Sequence, residues 1–259
     1  MKSTYLFSTL ALASVLAAGA SATTFTFDWK AGDRGNVMND AGKLMSIKSS
    51  FDAKTDVLKY QFTVAAEKND PKNEINGFYL ALNNGPDPSG RSGEMAVLYF
   101  DASKSGSPIL TTYAYNGTSA KKSWEDGDNA SGNQSPDKIL SSIKDKSWVN
   151  STIFRTNADG SRTLGFDIDA TKLNLHKPKY PTAGATWDGL EFGNKVGIWF
   201  AGFEDGRFSY GNDGFISNLS FGDRSGLDAN NLQAVPEPAT MSILALAAAI
   251  RRRKNRKTA

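Results

Sequence analysis

Residues 45–64, Met45-Ser46-Ile47-Lys48-Ser49-Ser50-Phe51-Asp52-Ala53-Lys54-Thr55-Asp56-Val57-Leu58-Lys59-Tyr60-Gln61-Phe62-Thr63-Val64, decide the fold. Met45, Ile47 and Phe51 alternate with polar positions, and Leu58, Tyr60, Phe62 and Val64 do so again. A period of two turns one side of each run toward a core and the other toward water, the pattern of a half-buried strand. Asp52 to Asp56 between them is short and polar, so the two runs read as an antiparallel hairpin.

The same signal recurs outward from this hairpin. Upstream, Thr23–Trp29 sets Phe25, Phe27 and Trp29 on one face, and a Gly/Asn/Asp-rich loop from Ala31 to Gly42 leads into the hairpin. Downstream, Gly77–Leu82 is almost continuously apolar, as a central strand covered on both faces would be. Met95–Phe100 and Ile109–Tyr115 continue a meander, and Asn116–Ser135 is the longest polar stretch. Pro136–Lys146 reads as the one helix, with Ser135 as N-cap, Pro136 at the first position, and Ile139, Leu140 and Ile143 on one side. Val149–Arg155 and Thr163–Ile168 flank a turn at Asn157–Gly160 as a second hairpin. Lys195–Phe203 is a further buried strand, with Val196, Ile198 and Phe200 facing one way and Trp199 and Phe203 the other. Phe215–Phe221 closes the domain, and Gly222–Ala234, without periodicity, reads as a flexible linker. Short strands, one short helix and frequent turns predict an all-β fold, an antiparallel β-sandwich of jelly-roll type over residues 23–222, with 223–234 as linker.

The two ends follow other rules. Lys2, the apolar stretch Tyr5–Ala18 and the small-x-small site Ala20-Ser21-Ala22 make residues 1–22 a secretory signal peptide, cut after Ala22. At the other end stand Val235-Pro236-Glu237-Pro238, the run Ala239–Ile250, and the basic cluster Arg251-Arg252-Arg253-Lys254 with Arg256 and Lys257. Pro236 and Pro238 fix φ and lack an amide donor, which keeps Glu237 in an extended, accessible segment. Cations directly after an apolar segment hold that side in the cytoplasm. The run Ala239–Ile250 is short, about 18 Å as a helix at ~1.5 Å per residue against a hydrocarbon core of ~30 Å, and this suits a transient anchor.

These elements of residues 235–259 resemble the PEP-CTERM sorting signal found in exported proteins of Gram-negative and related bacteria. The resemblance rests on Pro236, Glu237, Pro238, the apolar run and the cluster from Arg251 onward. It implies passage through the export translocon, then recognition of Pro-Glu-Pro by an exosortase, a membrane-embedded enzyme that separates the domain from its anchor. It further implies delivery to the cell surface or extracellular matrix, in association with exopolysaccharide.

Charge and composition narrow what the domain itself does. The chain of 259 residues has a formal charge of +3, but Lys2 and the six basic residues of the tail supply seven positive charges without an acid beside them. Their removal leaves about −4 on the domain, no footing for nucleic acid. Cysteine is absent, so neither disulfides nor thiolates contribute. The one histidine, His176, excludes zinc sites built from several His or Cys, and no G-x-S-x-G elbow accompanies it, so it reads as a surface or edge residue. Paired carboxylates are the catalytic set the composition still allows, with Glu94, Glu191, Glu204 and Asp205 as candidates, but none stands in an alternating E-x-D-x-x-E pattern. The expectation is a protein without enzymatic activity. No cofactor is called for. Structural calcium is considered at Asp126-Gly127-Asp128-Asn129 through Asp137, where Ala130 and Ser131 depart from a calcium loop, and at Asn212-Asp213. Sugars stack on flat aromatic faces, which makes Trp124, in the long polar stretch, and Trp199 candidate glycan contacts. A carbohydrate-binding or glycoside-hydrolase sandwich on the same export route is therefore the alternative reading.

Overall fold

The computed structural model describes residues 24–33, 37–39, 43–66, 75–83, 96–115, 122–125, 127–129, 132–134, 137–176, 196–222 and 227–233. Thr24–Val235 make one compact unit that excludes Met1–Thr23 and Pro236–Ala259. Ala20, Ala22, residues 235–238 and residues 251–254 lie outside the described residues. Among the described residues no helix is long and apolar enough to cross a membrane.

In chain order the strands begin with β1 (Thr24–Lys30), β2 (Val37–Asn39), β3 (Leu44–Asp52), β4 (Val57–Val64), β5 (Ile75–Asn83), β6 (Ala96–Asp101) and β7 (Ile109–Ala114). Then come β8 (Gly127–Asn129), β9 (Gly132–Gln134), β10 (Lys138–Ser141), β11 (Val149–Thr156), β12 (Arg162–Asp169) and the single-turn helix α1 (Thr171–Asn174). The last are β13 (Val196–Glu204), β14 (Arg207–Tyr210), β15 (Ile216–Ser220) and β16 (Leu227–Gln233). A five-stranded sheet runs β1-β3-β4-β12-β11 and a seven-stranded sheet β10-β7-β6-β5-β13-β16-β2, with antiparallel pairing throughout. β8 with β9, and β14 with β15, form separate hairpins.

The deciding hairpin is present as β3 and β4, with one revision. A bulge between Leu44 and Ser46 shifts the register, so Leu44 is buried and Met45 is exposed, while Ile47 and Phe51 point inward as predicted. The turn is fixed by the Asp52 carboxylate, which accepts the Lys54 amide at 2.9 Å, and by Asp56 in the left-handed region at φ 51°. Asp56 is held from outside: its carbonyl accepts the Ala170 amide at 2.7 Å and its carboxylate accepts the Asn174 side-chain amide at 2.7 Å. The second predicted hairpin is β11 and β12, closed through Gly160 at φ 84°.

The inward faces of both sheets meet in a core rich in aromatic rings. Phe62 of β4 meets Phe78 of β5 edge-on at 5.1 Å and Phe200 of β13 at 4.5 Å, and Phe78 stacks on Phe100 of β6 at 4.6 Å. This arrangement of two antiparallel sheets over one core is an all-β sandwich.

A second buried cluster lies on the other side of the seven-stranded sheet, built from Tyr79, Val97, Tyr99, Tyr113, Ala201 and Phe203 beneath Phe208, Ile216 and Leu219 of β14 and β15. This cover explains why Gly77–Leu82 and β6 are apolar without alternation: both of their faces are inside.

Three expectations are corrected. Residues 137–146, the described part of the predicted helix, are not a helix. Lys138–Ser141 is β10, an edge strand on β7, and a turn follows it. Thr112 Oγ1 accepts the Leu140 amide at 3.1 Å and Ser142 Oγ accepts the Leu110 amide at 2.9 Å, so ladder and side-chain bonds outweigh helix propensity. Ile143, assigned to the helix's apolar side, is exposed. The short helix is instead Thr171–Asn174. The presumed linker is not structureless: Leu227–Gln233 is β16, paired with β13 on one side and β2 on the other, so Phe215–Phe221 does not close the domain. Backbone pairing on both sides holds such a strand whatever its side-chain pattern, which is why periodicity missed it.

Candidate functional site

Trp124 sits on a tight turn, Lys122 to Glu125, laid over the outer face of the seven-stranded sheet. The Glu125 amide closes the turn on the Lys122 carbonyl at 3.0 Å. The buried Ser123 amide donates to the phenol oxygen of Tyr99 at 3.0 Å, which ties the turn to β6. Trp124 is half-buried against the outer cluster and is not the freely exposed aromatic its polar surroundings suggested. It lines an open recess of about 290 Å³ together with Lys122, Glu125, Leu219, Ser220 and Phe221. Lys122 and Glu125, on the same turn, pair at 2.9 Å with side chains 50% and 36% exposed.

Tyrosine hydroxyls fasten the rest of this cover. Tyr113 Oη accepts the Ile216 amide at 2.8 Å, and Tyr210 of β14 donates to the buried Asp101 carboxylate at 2.9 Å. Burial raises the phenols of Tyr99, Tyr113 and Tyr210 above their ordinary value; beside Tyr210 the Asp101 charge adds to it.

Trp199 faces the same outer side, as predicted, but lies against Tyr79 at 5.2 Å edge-on and does not line the Trp124 recess. Neither face of β13 is open: Val196, Ile198 and Phe200 join the inter-sheet core, while Ala201 and Phe203 join the outer cluster. Trp29 and Trp148 are core residues, and Trp187 lies outside the described residues.

Two of the four candidate acids are placed, each with a cation. Glu204, 6% exposed at the end of β13, pairs with Lys43 at 2.8 Å, and Asp205 pairs with Arg207 at 2.8 Å. Glu94 and Glu191 lie outside the described residues. His176 stands 3.3 Å from Asp137, both partly buried, which makes it an edge residue engaged with the acid that the calcium-loop comparison placed last. The middle of that loop folds as the β8–β9 hairpin. Asp213 accepts from Lys138 at 2.6 Å and from the Phe215 amide at 3.1 Å. Among the described residues no cluster of three or more His, Cys, Asp or Glu could hold a metal ion.

Sequence reasoning reached Trp124 but not its surroundings. The Lys122–Glu125 spacing around the tryptophan was the available signal, since such residues meet across one turn. Leu219, Ser220 and Phe221 arrive through the folding of β15 over the sheet, which no local pattern encodes. No known protein family matches this chain, and no curated protein is detectably similar to it.

Proposed function

We propose that this is an exported bacterial surface or extracellular-matrix protein, delivered through a PEP-CTERM signal and an exosortase, without enzymatic activity and associated with exopolysaccharide. The observation that carries the reading is the order Val235-Pro236-Glu237-Pro238, apolar run Ala239–Ile250, then Arg251-Arg252-Arg253-Lys254. The signal peptide of residues 1–22 agrees with it. Supporting it further, the compact unit runs from Thr24 to Val235, between the proposed signal-peptide cut and the first proline of the motif. The jelly-roll assignment belongs to the same proposal; β4 lies beside β12, β5 beside β13 and β16 beside β2, the long-range strand pairing such a fold requires.

The test is the intact mass of the protein recovered from envelope and medium, for wild type and Glu237→Ala. Wild type is expected to lose the segment after about Pro238, and the substitution to abolish that loss. An intact segment in both would overturn the sorting model. The second reading, a carbohydrate-binding module on the same route, is favoured by one observation, the recess beside Trp124.

A further inference from the structure

We infer that β11 is the edge through which two copies of this chain join, strand to strand and antiparallel about a two-fold axis, so that their five-stranded sheets become one continuous sheet. The inference stands apart from the export reading above.

Among the described residues the other sheet edges are short or closed. β2 has three residues and β10 four, and β1 lies against β16 of the opposite sheet. β11 has eight residues, Val149–Thr156, and none of its side chains is fully buried. It lacks the lysines and prolines that blunt a natural edge, and its one bulge, between Val149 and Ser151, leaves the rest of the strand regular.

The hairpin fixes which backbone groups point outward. The Asn157 amide donates to the Ser161 carbonyl at 2.7 Å, so Arg155, Ile153 and Ser151, at steps of two, also bond inward to β12. Thr152, Phe154 and Thr156 therefore turn their N–H and C=O groups to the open side, where no backbone bond from another described residue meets them. Such a row is a template for a further extended strand.

The side chains select a second copy as that strand. With Ile153 on the axis, Ile153 meets Ile153, Thr152 meets Phe154, Ser151 meets Arg155 and Asn150 meets Thr156, so outward backbone groups meet outward ones. Phe154, 40% exposed and on the same face as the core residue Leu164, comes diagonally within reach of its counterpart ring. On the opposite face, Arg155 has no acid partner among the described residues, and Asp167 of β12 stands beside Ser151. In the joined sheet Arg155 extends over the small Ser151 of the second copy toward that copy's Asp167. Asp167 accepts from Lys59 at 3.1 Å and from Asn150 at 2.9 Å, and a carboxylate has about four acceptor positions, so room for the guanidinium remains. The two-fold axis makes this bond twice. One strand pair buries less than the ~1,200 Å² of a standard interface, so the association is weak, with a Kd on the order of 10–100 µM.

Sedimentation velocity of the protein as recovered from cells, from about 1 to about 300 µM, reads the pairing on both sides of that Kd. A monomer–dimer equilibrium is expected. Thr152→Pro, which removes an outward N–H and no bond to β12, is expected to abolish it, and Arg155→Glu, which sets like charge toward Asp167, to weaken it about tenfold. Ile153→Cys gives a chain without cysteine one thiol on the axis, in a pair with Cα atoms about 4.5 Å apart, within disulfide range. Oxidised glutathione is expected to link it into a dimer about tenfold faster than it links Lys48→Cys, exposed on β3. A single mass at every concentration, a dimer that Thr152→Pro and Arg155→Glu leave intact, or linking no faster than in Lys48→Cys would overturn the inference. Protection of the Thr152, Phe154 and Thr156 amides from hydrogen exchange in a monomer would give the edge to another part of the same chain and overturn it as well. If Thr152→Pro unfolds, Arg155→Glu and Ile153→Cys decide.

Discussion

Tyr60 shows how a single atom can sit against the logic of its surroundings. Its ring is surrounded by Phe62, Phe78, Phe166 and Phe200, it is 1% exposed, and its hydroxyl has no hydrogen-bond partner among the described residues. Desolvation raises its phenol well above the ordinary value. A buried, unsatisfied hydroxyl costs about 1–3 kcal/mol. Tyr60→Phe is therefore expected to leave stability unchanged or raise it by about 1 kcal/mol, and a loss above 1 kcal/mol in urea unfolding would show that the hydroxyl has a partner. Other polar residues follow a rule that was readable in advance. Asp101-x-Ser103, Asp145-x-Ser147, Asp159-x-Ser161 and Asp169-x-Thr171 all bend alike, the carboxylate accepting the amide two residues on at 2.7, 2.8, 3.0 and 2.9 Å. Donation from the Ser147 hydroxyl and amide, with Lys172 beside it, holds Asp145 down at about 2.

At the scale of elements, legibility followed alternation. β3 and β4 alternate between the core and the outside, and their period of two identified them; β11 and β12 were found through the turn between them, and β11 has no fully buried side chain. β5, β6 and β13 lie under cover on both sides and were legible as apolar runs. β10 and β16 were not legible, for different reasons. Ile139, Leu140 and Ile143 fit helical spacing, yet Leu140 is spoken for by Thr112 of the neighbouring strand. β16 reads Leu-Asp-Ala-Asn-Asn-Leu-Gln, with neither β-branched residues nor alternation, and is defined by the ladders on its two sides. Ending the chain after Ser225 is thus expected to unpair β13 on one side from Val196 to Ala201 and separate β2 from the sheet. Calorimetry should find the cooperative transition lost or its midpoint lowered by 10 °C or more, since a deleted strand exceeds the ~1 kcal/mol worth roughly 2–4 °C in a domain this large. A dispensable linker would leave the midpoint where it was. The site was legible only as far as Trp124, because its other wall is brought by β15 from about a hundred positions away in the chain.

For the whole molecule, the seven-stranded sheet is a shared wall between two apolar layers, and the outer layer is fastened by phenols. Tyr99, Tyr113 and Tyr210 all have raised values in the folded state. A raised folded-state value contributes stability that is complete below the unfolded value near 10 and is lost as pH rises above it. The fold is expected to hold its midpoint up to about pH 10 and lose it steeply beyond, with tyrosinate absorbance appearing together with unfolding. Ionisation at pH 10 in a chain that keeps its circular dichroism would show that these hydroxyls are not fastening the cover.

The position of β16 also sets a clock. Met38 lies opposite Asp228 and Asn83 opposite Gly197, so nearly the whole polypeptide must be present before the seven-stranded sheet is complete. Pairing at such separations makes folding slow, on the order of milliseconds to seconds. On the export route proposed above, a chain threaded outward from its first residue would complete its larger sheet only once Gln233 had emerged, just ahead of Val235.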